Sequence, residues 1–411
     1  MNPDPPVPET SVLAVASHVV SGHVGNKVAV FVLQSLGCDV GALNTVQFSN
    51  HTGYRQFKGT KLTAQEITDL WDGLKQAHLY GFDMMLSGYI PGAAAVEAVG
   101  QIAKELKANA ASSPGSFFWV LDPVMGDNGK LYVADDVVPA YQGLIHHADL
   151  ILPNQFEAEL LSGVKITDSA SLERAIEVLH DTYNLPHIVI TSVSLPLRSS
   201  ASQTPVPTRP ASPAQSAAPP STTTTTTTRT MSVVGSTRTS DRKPRLFSIQ
   251  FPVFDAYFSG TGDMFAALMV VRMREAVSSP RPYGEEASAS ASASASASAS
   301  ASALSESDAL RRSPSWLSPD DVPATGLPLA RAAERVLASM HEVLARTSEH
   351  LASDLAAAVA RLAARRGTAA DAVRADPAAM HLLRSKAAEL KLTRNLGCLR
   401  EPVVQYRAEA M

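Results

Sequence analysis

The chain has 411 residues, 45% of them apolar, and a net charge of −4. That is ample for a core, and without a long basic stripe it gives a nucleic-acid partner no electrostatic support. No run approaches the ~18 apolar residues of a membrane span, the acidic, proline-rich "MNPDPPVPET" lacks the features of a secretion signal, and two distant cysteines, Cys38 and Cys398, argue for a reducing compartment. The expectation is a soluble cytoplasmic protein, with the nucleus also open to it.

After a flexible N-terminus over residues 1–11, strands and helices alternate. "VLAVAS" (12–17) reads as a short strand, followed by a glycine-bearing turn and the helical "VGNKVAVFVLQSLG". "CDVGALNTVQF" is the next strand, and residues 63–77 form a helix whose Thr63 and Glu66 fit a capping box. Strands at 82–88 and 117–122 enclose a helix at 93–108. "ADLILPN" (148–154) and "PHIVITS" (186–192) are further strands, with helices at 155–161 and 168–183. Apolar strands alternating with amphipathic helices predict a mostly parallel sheet covered on both faces. Two stretches break the pattern: a Pro/Ser/Thr-rich run at about 196–230, and a window at about 280–320 centred on the Ala/Ser alternation of 286–303. Neither buries enough side chain to hold structure, so both read as disordered insertions. The helix 329–352 is expected on the outside of the same domain. A single domain over 12–411 is the first reading, and two domains split at the first insertion the second.

In an open α/β sheet, ligands bind beyond the carboxyl ends of the strands. Ser17, Asp122, Asn154 and Thr191-Ser192 all lie at such ends. Turn chemistry supplies these residue types too, so it is their clustering that points to a site. A further signal is "FSGTGDMFAALMV", where Gly260-Thr261-Gly262-Asp263 opens a long apolar helix. A helix start offers unpaired N–H groups and the positive end of a dipole. Glycines let a bulky anion approach, Thr261 adds a hydroxyl, and Asp263 can take a proton from an attacking alcohol. These are the parts of a phosphoryl transfer. The same four residues also fit a plain glycine turn with Asp263 as a dipole partner. The chain lacks G-x-x-x-x-G-K-[ST] and the protein-kinase motif set, which excludes those two classes.

The series "ASHVVSGHVGNKVAVFVLQSLG", "NTVQFSNHTGY", "DPVMGD", "LPNQFEAELLSG", "VITS" and "FSGTGDMFAA" resembles, in that order, the motifs of pyridoxal kinases, members of the ribokinase-like superfamily. The likeness runs from about Val12 to Val193, resumes near Met231 and reaches "EPVVQYRA". It implies a three-layer α/β fold and ATP-dependent phosphorylation of the 5′-hydroxyl of pyridoxal, pyridoxine and pyridoxamine. It also implies Mg²⁺, a monovalent cation such as K⁺, and a homodimer.

By that resemblance Ser17 and Val24 meet the pyridine ring, and Val46, Phe48, His51 and Thr52 line the vitamer pocket with Tyr89 against the ring. Asp122, Asp127 and Glu157 serve the metal. Asp127, Asn154, Glu157, Thr191 and Ser192 hold the nucleotide phosphates with Thr261 and Gly262. Gly260, Thr261 and Gly262 form the anion hole, and Asp263 is the base. Asp122 and Asp127 flank Pro123 and Gly126, a loop able to curl around a cation held through water. Phe48, Tyr89 and His51 equally suit plain packing roles. Two alternatives stay open: another small-molecule kinase of this fold, such as a hydroxymethylpyrimidine kinase, and a non-catalytic vitamin-binding protein. One position departs from the pattern. Many relatives carry Thr before "PNQFEAELL", as a cation ligand, where this chain has Leu152.

Overall fold

A computed structural model of the chain describes residues 5–195, 229–279 and 307–411. Most of both proposed insertions therefore lies outside the described residues.

The first strand, β1 (Ser11–Val19), leads into α1 (Asn26–Ser35) and β2 (Asp39–Phe48), and a short β3 (Gly59–Lys61) closes that edge. Next come α2 (Ala64–Gln76), β4 (Met84–Ser87), α3 (Ala93–Asn109) and β5 (Phe118–Leu121). A small hairpin of β6 (Gly126–Asp127) and β7 (Lys130–Leu131) precedes α4 (Val137–Leu144) and β8 (Leu150–Ile151). Then follow α5 (Gln155–Ser162), α6 (Ser169–Tyr183), β9 (His187–Val193), β10 (Thr230–Arg238), β11 (Pro244–Pro252) and α7 (Thr261–Ser278). The C-terminal part comprises α8 (Pro328–Arg366), α9 (Ala370–Arg374), α10 (Pro377–Ala387), α11 (Leu396–Arg400) and β12 (Glu409–Ala410).

One sheet collects the strands in the order β12-β11-β10-β9-β8-β5-β4-β1-β2-β3. It is parallel from β9 to β2 and antiparallel at both edges. Strand alternation divides the core in two: Val12 and Ala14 of β1 face one apolar cluster, Leu13 and Val15 the other. On the first face α7 is buried along most of its length, between α1 and α8. The expected capping box holds, with the Thr63 N–H donating to Glu66 Oε2 (2.7 Å) and the Glu66 N–H to Thr63 Oγ1 (3.2 Å). The strands on either side of 196–228 pair directly, Val193 opposite Ser232.

Three sequence expectations change. The N-terminus is tied down before residue 11, because Val7 packs in the core and Thr10 is buried. Residues 307–320 are packed rather than part of an insertion: Trp316 stacks on Phe118 (centroids 4.1 Å apart, planes at 11°) and donates to the Gly115 carbonyl. A single indole outweighs the polar residues around it, because it buries more apolar surface than any of them. The long helix α8 lies against α7 with Leu329, Ala333 and Val336 in the core, not on the outside. No helix among the described residues is long and apolar enough to cross a membrane.

Candidate active site

The carboxyl ends of the parallel strands and the start of α7 enclose one cleft of about 490 Å³. Ser17, Tyr89, Asp122, Asp127, Asn154, Glu157, Thr191, Ser192 and Gly260 to Asp263 all line it. Residues scattered over almost 250 positions of sequence thus meet because each lies within two residues of a strand end or a helix start.

The helix start answers the question its glycines pose. Gly260 has φ +83°, and a Cβ there would lie 2.1 Å from the His23 carbonyl oxygen, so only glycine fits. Gly25, at φ +57°, is pressed equally hard onto Ser17. Gly262 is different. A Cβ built there would touch nothing closer than Asp122 Oδ2, at 4.0 Å. No protein atom requires glycine at 262, and the open space lies between the helix start and a carboxylate. The first intrahelical bond runs from the Met264 N–H to the Gly260 carbonyl. The amides of Thr261, Gly262 and Asp263 therefore precede the ladder, as an anion site needs.

Asp263 sits at the inner wall of the cleft. Burial raises its carboxyl above the usual range, while the Gly25 N–H opposes this by bonding to the charged form. Asp122 is pushed well up, first by burial and then by the charges of Glu157 and Asp263. Glu157 is raised to about 7, mainly by burial, against three backbone amides that favour its ionised form.

Those amides give two of the cleft residues a structural part as well. Glu157 Oε1 accepts from Met125 N–H (2.8 Å) and Gly126 N–H (3.3 Å), and Oε2 from Asn154 N–H (2.9 Å). Asn154 Oδ1 caps α5 by accepting from Glu157 N–H (2.9 Å), and its Nδ2 donates to the Gly126 carbonyl (2.7 Å). The pair is a capping box that also clasps the "DPVMGD" loop. Both hold Asp122 and Asp127 in place with their own polar atoms largely committed. Asp127 in turn accepts from Asn128 backbone (2.7 Å) and side chain (2.9 Å).

Among the described residues no cluster of three or more His, Cys, Asp or Glu forms a ready cage for a metal ion. Asp122 instead is a buried carboxyl beside Glu157 and Asp263 whose ionised form is disfavoured by both burial and those neighbours, so a cation there would favour its ionisation, and it faces the anion site. Mg²⁺ is commonly held by one or two carboxylates plus substrate phosphates, and Asp122 with Asp127 suits that mode.

The remaining sequence-predicted residues lie beside the cleft rather than on its lining. Val46 and Phe48 form a small apolar cluster with Val19, against which Val24 and Tyr89 pack. Tyr89 belongs to both the cluster and the cleft wall. His51 is buried, and Thr52 is exposed at the start of a single turn over 52–54.

Sequence reasoning misses several groups. Phe254 and His341, with ring centroids 5.1 Å apart, line the same cleft, His341 arriving on α8. Tyr132 and Tyr257 line it too while keeping much of their surface exposed. The available signal was their place in the sequence, Tyr132 five residues after Asp127 and Tyr257 three before Gly260.

Residues 83–234 match the family described as phosphomethylpyrimidine kinase. The chain is 39% identical over 269 residues to the pyridoxal kinase of Ovis aries, covering 64% of this chain and 77% of that protein. It is 37% identical to the Homo sapiens pyridoxal kinase over 269 residues, with the same coverage. Its structure resembles the pyridoxal kinase of Leishmania donovani in complex with ADP and pyridoxamine, with a TM-score of 0.64 and 25% identity over 98% of this chain and 100% of that one. The chain belongs to the pyridoxal kinase family.

Proposed function

We propose that the protein transfers the γ-phosphoryl group of ATP to the 5′-hydroxyl of pyridoxal, and of pyridoxine and pyridoxamine, giving the 5′-phosphate and ADP. One observation carries this reading: an open space bounded by the bare start of α7 and the Asp122 carboxylate, with Asp263 on its wall. The vitamer sits with its ring toward Ser17, Tyr89 and the apolar cluster of Val46 and Phe48, with Val24, His51 and Thr52 alongside. Its 5′-oxygen faces Asp263.

Asp263 takes the hydroxyl proton as the oxygen attacks the γ-phosphorus and the bond to the ADP oxygen breaks. Burial, by raising its carboxyl, strengthens it as a base near neutral pH. The amides of residues 261–263 hold the charge that develops on the moving phosphoryl oxygens. The helix start needs no rearrangement to do this, because Gly260 already fixes its direction under the His23 carbonyl.

Asp122 and Asp127 would hold Mg²⁺, which would supply charge neutralisation of the phosphates. Glu157 and Asn154 position that loop, and Thr191 and Ser192 meet the phosphates from β9. A monovalent cation beside Asp122 and a homodimeric state, both supported by the motif series, and a cytoplasmic location, supported by the two distant cysteines, complete the reading.

ADP release in a coupled assay, with and without pyridoxal, tests it. Pyridoxal-dependent release supports the proposal, and release without dependence on any vitamer refutes it. A second reading, a hydroxymethylpyrimidine kinase, draws on the family match over 83–234. The same assay with that pyrimidine in place of pyridoxal separates the two.

A further inference from the structure

Glu389 follows α10 and lies far from the motif series, yet its carboxylate is buried against the vitamer end of the site. Its Oε2 accepts from the His23 N–H at 2.7 Å, and its Oε1 from the Tyr54 hydroxyl at 2.8 Å. His23 Nδ1 and His51 Nε2 stand 3.6 and 3.9 Å from the same carboxylate. Neither ring nitrogen has a hydrogen-bond partner of its own. A Cβ at Gly22 would reach to 2.8 Å from Glu389 Oε1, so the carboxylate rests on bare backbone. Burial alone would raise this carboxyl, but its contacts with His23 and Tyr54 more than offset that and hold it below the usual range. A second contact from the same segment, His381 Nε2 to the Gly53 carbonyl (2.9 Å), fastens α10 to the 52–54 turn.

Two loops meet at this carboxylate. The 51–54 turn carries His51 and Thr52. The 22–25 loop carries the His23 carbonyl over Gly260 and the Gly25 amide onto Asp263. We propose that Glu389 is a positioning residue that locks the His23 loop and the His51–Tyr54 turn together, so that vitamer binding, far more than nucleotide binding, depends on the C-terminal helices. The inference rests on the kinase reading above for what binds beside these loops. A buried acceptor for two donors is costly to remove, because both donors lose a charge-assisted partner without regaining water. The contacts of Glu389 run to His23, Tyr54 and His51, on the vitamer side, and not to Thr191 or Ser192, which meet the phosphates in the reading above.

Glu389→Ala and Glu389→Gln decide the matter. In steady-state assays, KM for pyridoxal should rise roughly tenfold in the alanine variant and less in the glutamine variant, which keeps one acceptor oxygen. KM for ATP should stay within about twofold of the parent. Calorimetric titration with pyridoxine, which needs no turnover, should show the same graded weakening, and melting curves confirm that each variant is folded. If alanine prevents folding, the glutamine variant carries the comparison. Parallel rises in both KM values, or unchanged pyridoxine affinity in a folded variant, would overturn the assignment. If the parent releases no ADP with pyridoxal, the kinase reading falls, and the pyridoxine titration still decides the role of Glu389.

Discussion

Gly262→Ala separates the needs of the fold from those of the reaction. The position lies in the first turn of α7, and the added methyl would meet only Asp122 Oδ2, at 4.0 Å. The protein therefore offers no steric objection, and replacing glycine by alanine in a helix favours folding by up to about 1 kcal/mol. In a chain of this size that raises the melting temperature by roughly 1 °C. The methyl, however, stands in the space between the helix amides and Asp122, where the phosphoryl group must come. Holding it back from preorganised donors should lower kcat/KM for ATP by roughly 10²-fold. Thermal unfolding without ligand and coupled ADP release give the two readouts. Stability unchanged or raised with activity lost is the expected pairing. Parental activity in the alanine variant, or a loss of stability that accounts for the activity lost, would refute the idea that the open space is the phosphoryl site.

Other perturbations probe separate parts of the account. Leu152, buried on the cleft wall, offers a backbone carbonyl but no hydroxyl; K⁺ should still stimulate turnover, and Leu152→Thr should lower its half-saturating concentration roughly threefold, since hard cations accept hydroxyl and carbonyl oxygens alike. KCl titrations at constant ionic strength check this, and superimposable curves would dismiss the hydroxyl. Buried His180 bonds to the Leu185 carbonyl and to Ser236, and burial pushes it down to about 4. Its unfolded form gains a proton below about 6.5 while the folded form does not, so the parent loses stability as pH falls through that window. Relative to the parent, His180→Gln should gain about 1.4 kcal/mol per pH unit from pH 6 to 4.5 in urea unfolding, and a pH-independent difference would contradict it.

Much of the site was legible because strand ends and helix starts announce themselves locally. Ser17, Asp122 and Thr191 follow apolar runs, and Gly260-Thr261-Gly262-Asp263 precedes one, so position in an α/β pattern was enough to gather them. Asn154 and Glu157 teach a different lesson. Their spacing is that of Thr63 and Glu66, and both pairs are capping boxes. The motif resemblance assigns Asn154 and Glu157 to nucleotide and metal, whereas their side chains bond chiefly to backbone. Glu389 and His341 could not be found from sequence, because only tertiary packing brings the C-terminal helices against loops hundreds of residues earlier. The pair β10 and β11 was masked by its neighbour: a long polar run leads directly into Thr230, and no turn signal marks where the strand begins.

Asp263→Asn tests the proposed chemistry most directly. The substitution keeps size and hydrogen bonding but cannot accept the hydroxyl proton, so turnover with pyridoxal should fall by ~10²–10⁴ while pyridoxine still binds in calorimetry. Near-parental turnover in a folded Asp263→Asn protein would contradict the assignment of Asp263 as the base.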